Sequence, residues 1–229
     1  MRAVVMSAAL AFACTAAAAV PPGYRGKEIS RLDTRRHVVA LTLDGGGTST
    51  KAWTIMATLS REHVRPTFFL SGRFVRQNPR LARAIGGTYD VANHTDTHPH
   101  MTQLSSSAVR SEILRAQDSI RRLTGQDPRP LFRFPYGDSD ARTIAIANDL
   151  GYISIRWTVD TLGWTGTQTV SGAVRRVEDA LQPGAIILMH IGAASNGATL
   201  DTRALPAVIA AVRRHGYSFT TFASLRRPR

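Results

Sequence analysis

The stretch His37-Val-Val-Ala-Leu-Thr-Leu-Asp-Gly-Gly-Gly-Thr-Ser-Thr-Lys51 runs an apolar segment into one carboxylate, three glycines and a lysine. Residues 38–43 have the length and branching of a buried strand, and Asp44 stands where that strand ends. Three readings compete for the turn: a phosphate cradle, a catalytic Asp whose neighbouring glycines let a ligand approach, and a tight turn alone. A phosphate cradle needs Gly-x-x-x-x-Gly-Lys-Ser/Thr, whereas Lys51 here follows Thr50, which weighs against it. Asp-Gly commonly begins a turn, so Asp44 gains meaning only from what else gathers near it.

Downstream the pattern repeats. Short apolar runs at 67–70, 89–92, 131–134, 153–158, 185–189 and 218–222 read as strands. Helical periodicity fills the intervals at 52–62, 74–85, 106–123, 141–150, 171–181 and 203–215. The third of these is the clearest: Val109, Ile113, Ala116, Ile120 and Leu123 recur at helical spacing, and Gly125 follows as a C-terminal stop. Seven strands alternating with six helices predict parallel pairing through right-handed crossovers. That leaves an open doubly wound sheet or a (β/α) barrel short of eight repeats. No linker divides the pattern, so one domain is expected.

The 229 residues, 43% of them apolar, suit one soluble domain. Arg2, the apolar run 4–13 and the small residues at 16–19 read as a signal peptide over residues 1–19. An N-terminal arm follows at 20–35, opened by Pro21-Pro22-Gly23, then the domain at 36–225 and a basic tail at 226–229. The leading run is too short for a good membrane span, so none is expected after cleavage; an anchor through Cys14 is the minority reading. Cys14 is the only cysteine, which excludes disulfides and zinc–thiolate sites from the mature chain. The net charge of +13 is almost wholly arginine, with Lys27 and Lys51 the only lysines. It favours anionic partners in general. The basic residues are scattered, without a stripe or a reader motif, so no specific nucleic-acid binding is expected.

The reactive residues fall into five groups. Asp44 follows the first predicted strand, and Asn93-His94-Thr95-Asp96-Thr97-His98-Pro99-His100 follows the third. Arg133-Phe134-Pro135-Tyr136-Gly137 closes the fourth, Asp160-Thr161-Leu162-Gly163-Trp164 follows the fifth, and Leu188-Met189-His190 ends the sixth. All lie at strand C-termini, the face on which parallel α/β folds assemble their sites. His94 and His98 are spaced so that two imidazoles reach one metal, and Pro99 keeps the pair off a continuous helix. Singly, each group has a plainer role in packing or turns; together they point to a site.

These residues resemble the polysaccharide deacetylase family, also called the NodB-homology or carbohydrate esterase family 4 domain, over roughly residues 36–225. Leu-Thr-Leu-Asp44-Gly-Gly is similar to Thr-Phe-Asp-Asp-Gly, His94-Thr-Asp-Thr-His98 to His-Ser/Thr-x-x-His, and Arg133-Phe-Pro-Tyr-Gly137 to Arg-x-Pro-Tyr-Gly. Asp160 to Trp164 and Leu188-Met-His190 supply the fourth and fifth motifs. The resemblance implies a distorted (β/α) barrel of about seven parallel strands. It also implies metal-dependent removal of acetyl groups from N- or O-acetylated polysaccharide, such as peptidoglycan or a chitin-like oligosaccharide. His94 and His98 would hold a divalent metal, zinc first, with cobalt, nickel or manganese as substitutes. Asp44 would be the general base, Arg133 its orienting partner and His190 the general acid. The Tyr136 backbone N–H would face the oxyanion, Trp164 and Leu188 would wall the acetyl pocket, and Asp160 would join them as a substrate-binding residue. A secreted or cell-wall-associated monomer is expected.

Two positions depart from the family pattern. The second motif-one Asp, a metal ligand there, is Gly45; the acidic residue before the motif-four Trp, which tunes the catalytic His, is Gly163. Asp44, His100, Thr48 or water are the candidates for the first vacancy, and Asp160 for the second. The alternative reading is a non-catalytic glycan-binding pseudoenzyme of the same fold.

Overall fold

A computed structural model describes residues 19–226; the expected signal peptide, residue 19 apart, and the last three residues of the basic tail lie outside them. Nine strands form one sheet in which every strand-to-strand pairing is parallel. In chain order they are β1 (Glu28–Ile29), β2 (Val38–Gly45), β3 (Thr67–Leu70), β4 (Asp90–Asn93), β5 (Leu131–Phe132), β6 (Ile153–Ile155), β7 (Val159–Asp160), β8 (Ile186–His190) and β9 (Ser218–Thr220). The sheet order is β1-β6-β5-β4-β3-β2-β8-β7, with β9 also paired to β2. The sheet curls into a barrel left open between β7 and β1. The seven expected strands are all present, and the expected distorted barrel is the fold. The two-residue strands β1 and β7 are additions, and β1 draws the expected N-terminal arm into the sheet.

The helices are α1 (Ala52–Arg61), α2 (Gly72–Gln77), α3 (Pro79–Gly86), α4 (Ser106–Thr124), α5 (Ala141–Asp149), α6 (Val170–Asp179), α7 (Leu200–Arg214) and α8 (Ala223–Arg226). The single helix expected over 74–85 is two, because Pro79 cannot supply the N–H that a continuous helix would need and opens α3 instead. Local chemistry sets several ends. The Ser105 hydroxyl accepts from Ala108 N at the start of α4, and Gly125, at φ 76°, closes it with its N–H on Arg121 O. Asp140 and Thr143 form a reciprocal cap on α5. Among the described residues no helix is long and apolar enough to cross a membrane.

What positions the site is strand parity. Successive side chains on a strand face opposite sides. On β2, Val39, Leu41 and Leu43 join the outer layer, with Leu59 of α1, Phe74 of α2 and Leu205 of α7. Ala40 joins the inner layer with Phe69, Ala92, Leu131, Ile153, Ile186 and Phe222. Thr42 and Asp44 share Ala40's parity and continue this inner row upward. Two steps beyond Ala92, Leu131 and Ile186, the same count brings His94, Arg133 and Leu188 inward, and His190 follows Leu188. The inner row is apolar at the bottom and reactive at the top. Gly45 has the opposite parity: a Cβ there would lie 2.8 Å from Leu70 Cδ2 and 3.4 Å from both Ile191 and Phe74.

Candidate functional site

Asp44 and His190 are partners in register across β2 and β8. Beneath them lies Arg133, 1% exposed. Its Nη1 donates to Asp44 Oδ1 at 2.6 Å and to Thr42 Oγ1 at 2.9 Å. Nε donates to Ile155 O and Nη2 to Arg156 O, at 3.2 and 3.0 Å. The guanidinium carbon also lies 4.0 Å from the centre of the Phe69 ring. A buried cation persists only when paired and hydrogen-bonded, and Arg133 is both. It holds one Asp44 oxygen and leaves Oδ2, 3.5 Å from His94 Nε2, turned to the cavity above.

His94 sits just past β4. Its Nδ1 lies 2.9 Å from Arg133 O. A carbonyl only accepts, so Nδ1 carries the proton and the Nε2 lone pair faces His98 Nε2 at 3.1 Å. Burial pulls both imidazoles down to about 3, with mutual repulsion adding to it at His98. Two neutral ring nitrogens converging at this distance fit half the shell of a divalent ion. The loop that brings them together is held open in left-handed backbone at Thr95 and His98, each at φ 65°. Buried Glu112 of α4 stabilises it by accepting from Asp96 N, Thr97 N and Thr97 Oγ1. Asn93 Oδ1 and Thr95 Oγ1 take the N–H groups of Thr95 and His98. Arg76 pairs with Asp96 beneath the same loop.

Of the three side chains weighed as the third ligand, Asp44 adjoins the pair through Oδ2, 3.5 Å from His94 Nε2, while Thr48 and His100 are engaged elsewhere. Thr48 Oγ1 accepts from Ala193 N at 2.9 Å, and His100 Nδ1 lies 3.6 Å from Asp138 while its ring stacks on Tyr136 at 4.2 Å. Among the described residues no group of three His, Cys, Asp or Glu side chains converges as a metal site. Position 45 faces the outer apolar layer, whereas a Cβ at Gly46 would meet the His98 ring at 2.5 Å. The side of the turn nearest the imidazoles is therefore bare backbone.

Tyr136, at φ 60°, packs edge-on against His98 with ring centres 4.7 Å apart. Trp164 is half exposed and donates Nε1–H to Asp160 Oδ2 at 3.0 Å, while Asp160 Oδ1 accepts from Leu162 N at 2.8 Å. Asp44, His94, His98, Tyr136, Asp160, Trp164, Leu188 and His190 line one cavity of about 320 Å³. A larger hollow of about 680 Å³ at the opposite end, by the start of β2, holds none of these residues.

Asp160 does not meet His190. Both of its oxygens are engaged on its own turn, and Asp201, which the sequence reading did not single out, stands there instead. Asp201 lies in the first turn of α7, 3% exposed. Its Oδ2 accepts from His190 N at 2.8 Å and lies 3.4 Å from His190 Nδ1. Burial lowers the His190 pKa, but the Asp201 carboxylate beside it and the charges of Asp44 and Asp160 outweigh it and leave it raised. A helix residue remote from every strand-end motif gave no sequence signal beyond its acidic character near a helix start.

The family model described as polysaccharide deacetylase matches residues 31–155. A peptidoglycan-N-acetylglucosamine deacetylase of Listeria monocytogenes is 31% identical over 207 residues, 90% of this chain. The chain spans only 42% of that enzyme's length. A chitooligosaccharide deacetylase of Bradyrhizobium is 32% identical over 189 residues, covering 78% of this chain and 86% of the relative. Among solved structures, a Bacillus anthracis protein described as a carbohydrate esterase family 4 pseudoenzyme superposes with a TM-score of 0.80 at 31% identity. That match covers 88% of this chain and 69% of the other; a variant described as having restored activity superposes equally well.

Proposed function

The chain belongs to the polysaccharide deacetylase family, and we propose that it hydrolyses acetyl groups from an N- or O-acetylated cell-wall-type glycan. The observation that carries this reading is a carboxylate and an imidazole facing one cavity, Asp44 oriented by Arg133 and His190 raised by Asp201, with the His94–His98 pair beside them. The names of the relatives favour N-acetylglucosamine polymers.

In this mechanism Asp44 Oδ2 takes a proton from water as the water oxygen bonds to the acetyl carbonyl carbon. The Tyr136 N–H donates to the carbonyl oxygen as charge gathers there. His190 donates its proton to the leaving amine or hydroxyl as the bond to the acetyl carbon breaks, and acetate is released. Trp164 and Leu188 wall the acetyl methyl. His94 and His98 would hold a divalent metal, zinc foremost, with cobalt, nickel or manganese as substitutes; when bound it polarises the carbonyl and acidifies water. An exported monomer whose first 19 residues are removed, working outside the cell or on its wall, fits a polymeric substrate of this kind.

The second reading is a glycan-binding pseudoenzyme, favoured by the missing carboxylate at Gly45 and by the likeness to the B. anthracis pseudoenzyme. The deciding assay follows acetate release from peptidoglycan and from chitin oligosaccharides, with zinc, cobalt, nickel or manganese supplied. Release that stops with chelator and in Asp44→Asn supports the hydrolase. Oligosaccharide binding unchanged by chelator, without acetate, supports the binding module.

A further inference from the structure

We propose that Asp201, at the head of α7, is the carboxylate that orients His190, and that Gly163 is glycine because Asp201 occupies the space of its side chain.

Three observations converge. First, a Cβ built on Gly163 would lie 2.4 Å from Asp201 Cγ and Oδ1 and 2.5 Å from Oδ2. Any side chain at 163 would displace the carboxylate. Gly163 is not among the glycines with positive φ, so space rather than backbone conformation explains the residue. Second, Asp201 is a buried acid whose one ionic neighbour among the described residues is His190. Its remaining acceptor capacity takes Thr161 Oγ1–H at 2.7 Å and His190 N–H at 2.8 Å. Third, His190 Nδ1 is buried and makes no well-formed hydrogen bond, and Asp201 Oδ2 at 3.4 Å is the acceptor beside it. A small approach gives Nδ1–H a carboxylate partner, which commits the other ring nitrogen, Nε2, to the cavity.

Asp160 does not serve in this way: its oxygens accept from Leu162 N–H and Trp164 Nε1–H on its own turn, and the ion pair of His190 is with Asp201. Asp44 and Asp160 add charge around His190 but face it from other strands. Asp201 is thus a positioning residue: it acts on substrate only through His190.

For its catalytic consequence the proposal rests on the deacetylase reading, so the test has two arms. The first needs no turnover. In 15N spectra of histidine-labelled protein, assigned through a His190 variant, wild-type His190 should carry its neutral-form proton on Nδ1. Asp201→Asn should lose that preference and titrate at lower pH. Asp201→Ala with Gly163→Asp, which moves the carboxylate to the other side of the same space, should restore it. His190 spectra identical in wild type and Asp201→Asn would overturn the proposal. The second arm compares an N-acetyl amide with an activated aryl acetate, whose leaving group needs no acid. Asp201→Ala should lower kcat on the amide roughly 100-fold, in the range of supporting residues and acid catalysis. On the aryl acetate it should cost less than about threefold, and the double variant should recover most of the amide rate. Equal losses on both substrates would mean a structural role and overturn it. A wild type inactive on both substrates would sink the deacetylase reading, while the spectra still decide whether Asp201 governs His190.

Discussion

Arg133 Nη1 and Asp44 Oδ1 meet at 2.6 Å, with the two side chains 1% and 6% exposed, so the ion pair lies inside the barrel rather than on its rim. Such a pair adds little net stability over apolar residues of the same volume, but removing one partner strands the other charge. Arg133→Met should therefore destabilise by about 3–5 kcal/mol, roughly a 10 °C fall in melting temperature for a chain of this size. Asp44→Leu combined with Arg133→Met should regain much of that stability while remaining inactive. A double variant as unstable as the single one would show that the cost lies in packing instead.

His94 is buried and neutral, its pKa lowered from 6.5 to about 3. Unfolded, it would titrate near 6.5, so between these values the unfolded chain binds the extra proton. Stability must then fall as pH falls through that window, by roughly 1.4 kcal/mol per pH unit from this residue alone. Denaturant unfolding of chelator-treated protein at pH 7, 6 and 5 measures it. His94→Gln should show a shallower decline by about that slope; parallel curves for the two proteins would refute the assignment.

Elemental analysis of purified protein should find close to one divalent ion per chain, lost in His94→Ala and in His98→Ala. Gly45→Asp should not improve binding, because strand parity sends that side chain among Leu70, Ile191 and Phe74. It should instead cost stability by about 1–3 kcal/mol through overpacking and an unpartnered buried polar group. A gain in metal affinity with Gly45→Asp would mean the end of β2 repacks to turn position 45 inward.

Trp164 is steered by Asp160, not by the core, since its ring is half exposed. In Asp160→Asn an amide can no longer accept from both Leu162 N–H and Trp164 Nε1–H. KM for an oligosaccharide should rise several-fold with kcat changed less than about threefold, as expected when ground-state and transition-state binding fall together. A drop confined to kcat would place Asp160 in the proton-transfer machinery instead.

The barrel was legible because its central strands, β2, β3 and β8 among them, are sealed on both faces and so read as apolar runs, and because the reactive clusters stop where those runs stop. The two-residue strands β1 and β7 carry too few residues for any period to register. The break between α2 and α3 was written in Asn78-Pro79, but the apolar spacing runs straight across it. Within the site, residues on a strand end or in a motif loop were found, since position along the strand predicts where they point. Asp201 was not. Its contact with His190 joins a helix start to a strand end across a loop, and it is made legible only by the missing Cβ at residue 163. What surrounds Gly45 was equally hidden: a Cβ there would meet Leu70, Ile191 and Phe74, side chains from three separate elements.

Moving the His190 carboxylate from the turn before Trp164 to the head of α7 separates two duties that adjacent residues would otherwise share. The turn that carries Trp164 shapes what the cavity admits, whereas α7, anchored in the outer core through Leu200, Ala204, Leu205 and Val208, sets the proton donor. The two meet at the root of the turn, where Thr161 donates to Asp201 and Gly163 packs against it. The outer part of that turn is thereby freed to diversify: changes around Trp164 can retune which sugar is accepted without disturbing acid delivery. A push on α7 from outside would do the reverse, altering reactivity while leaving recognition intact.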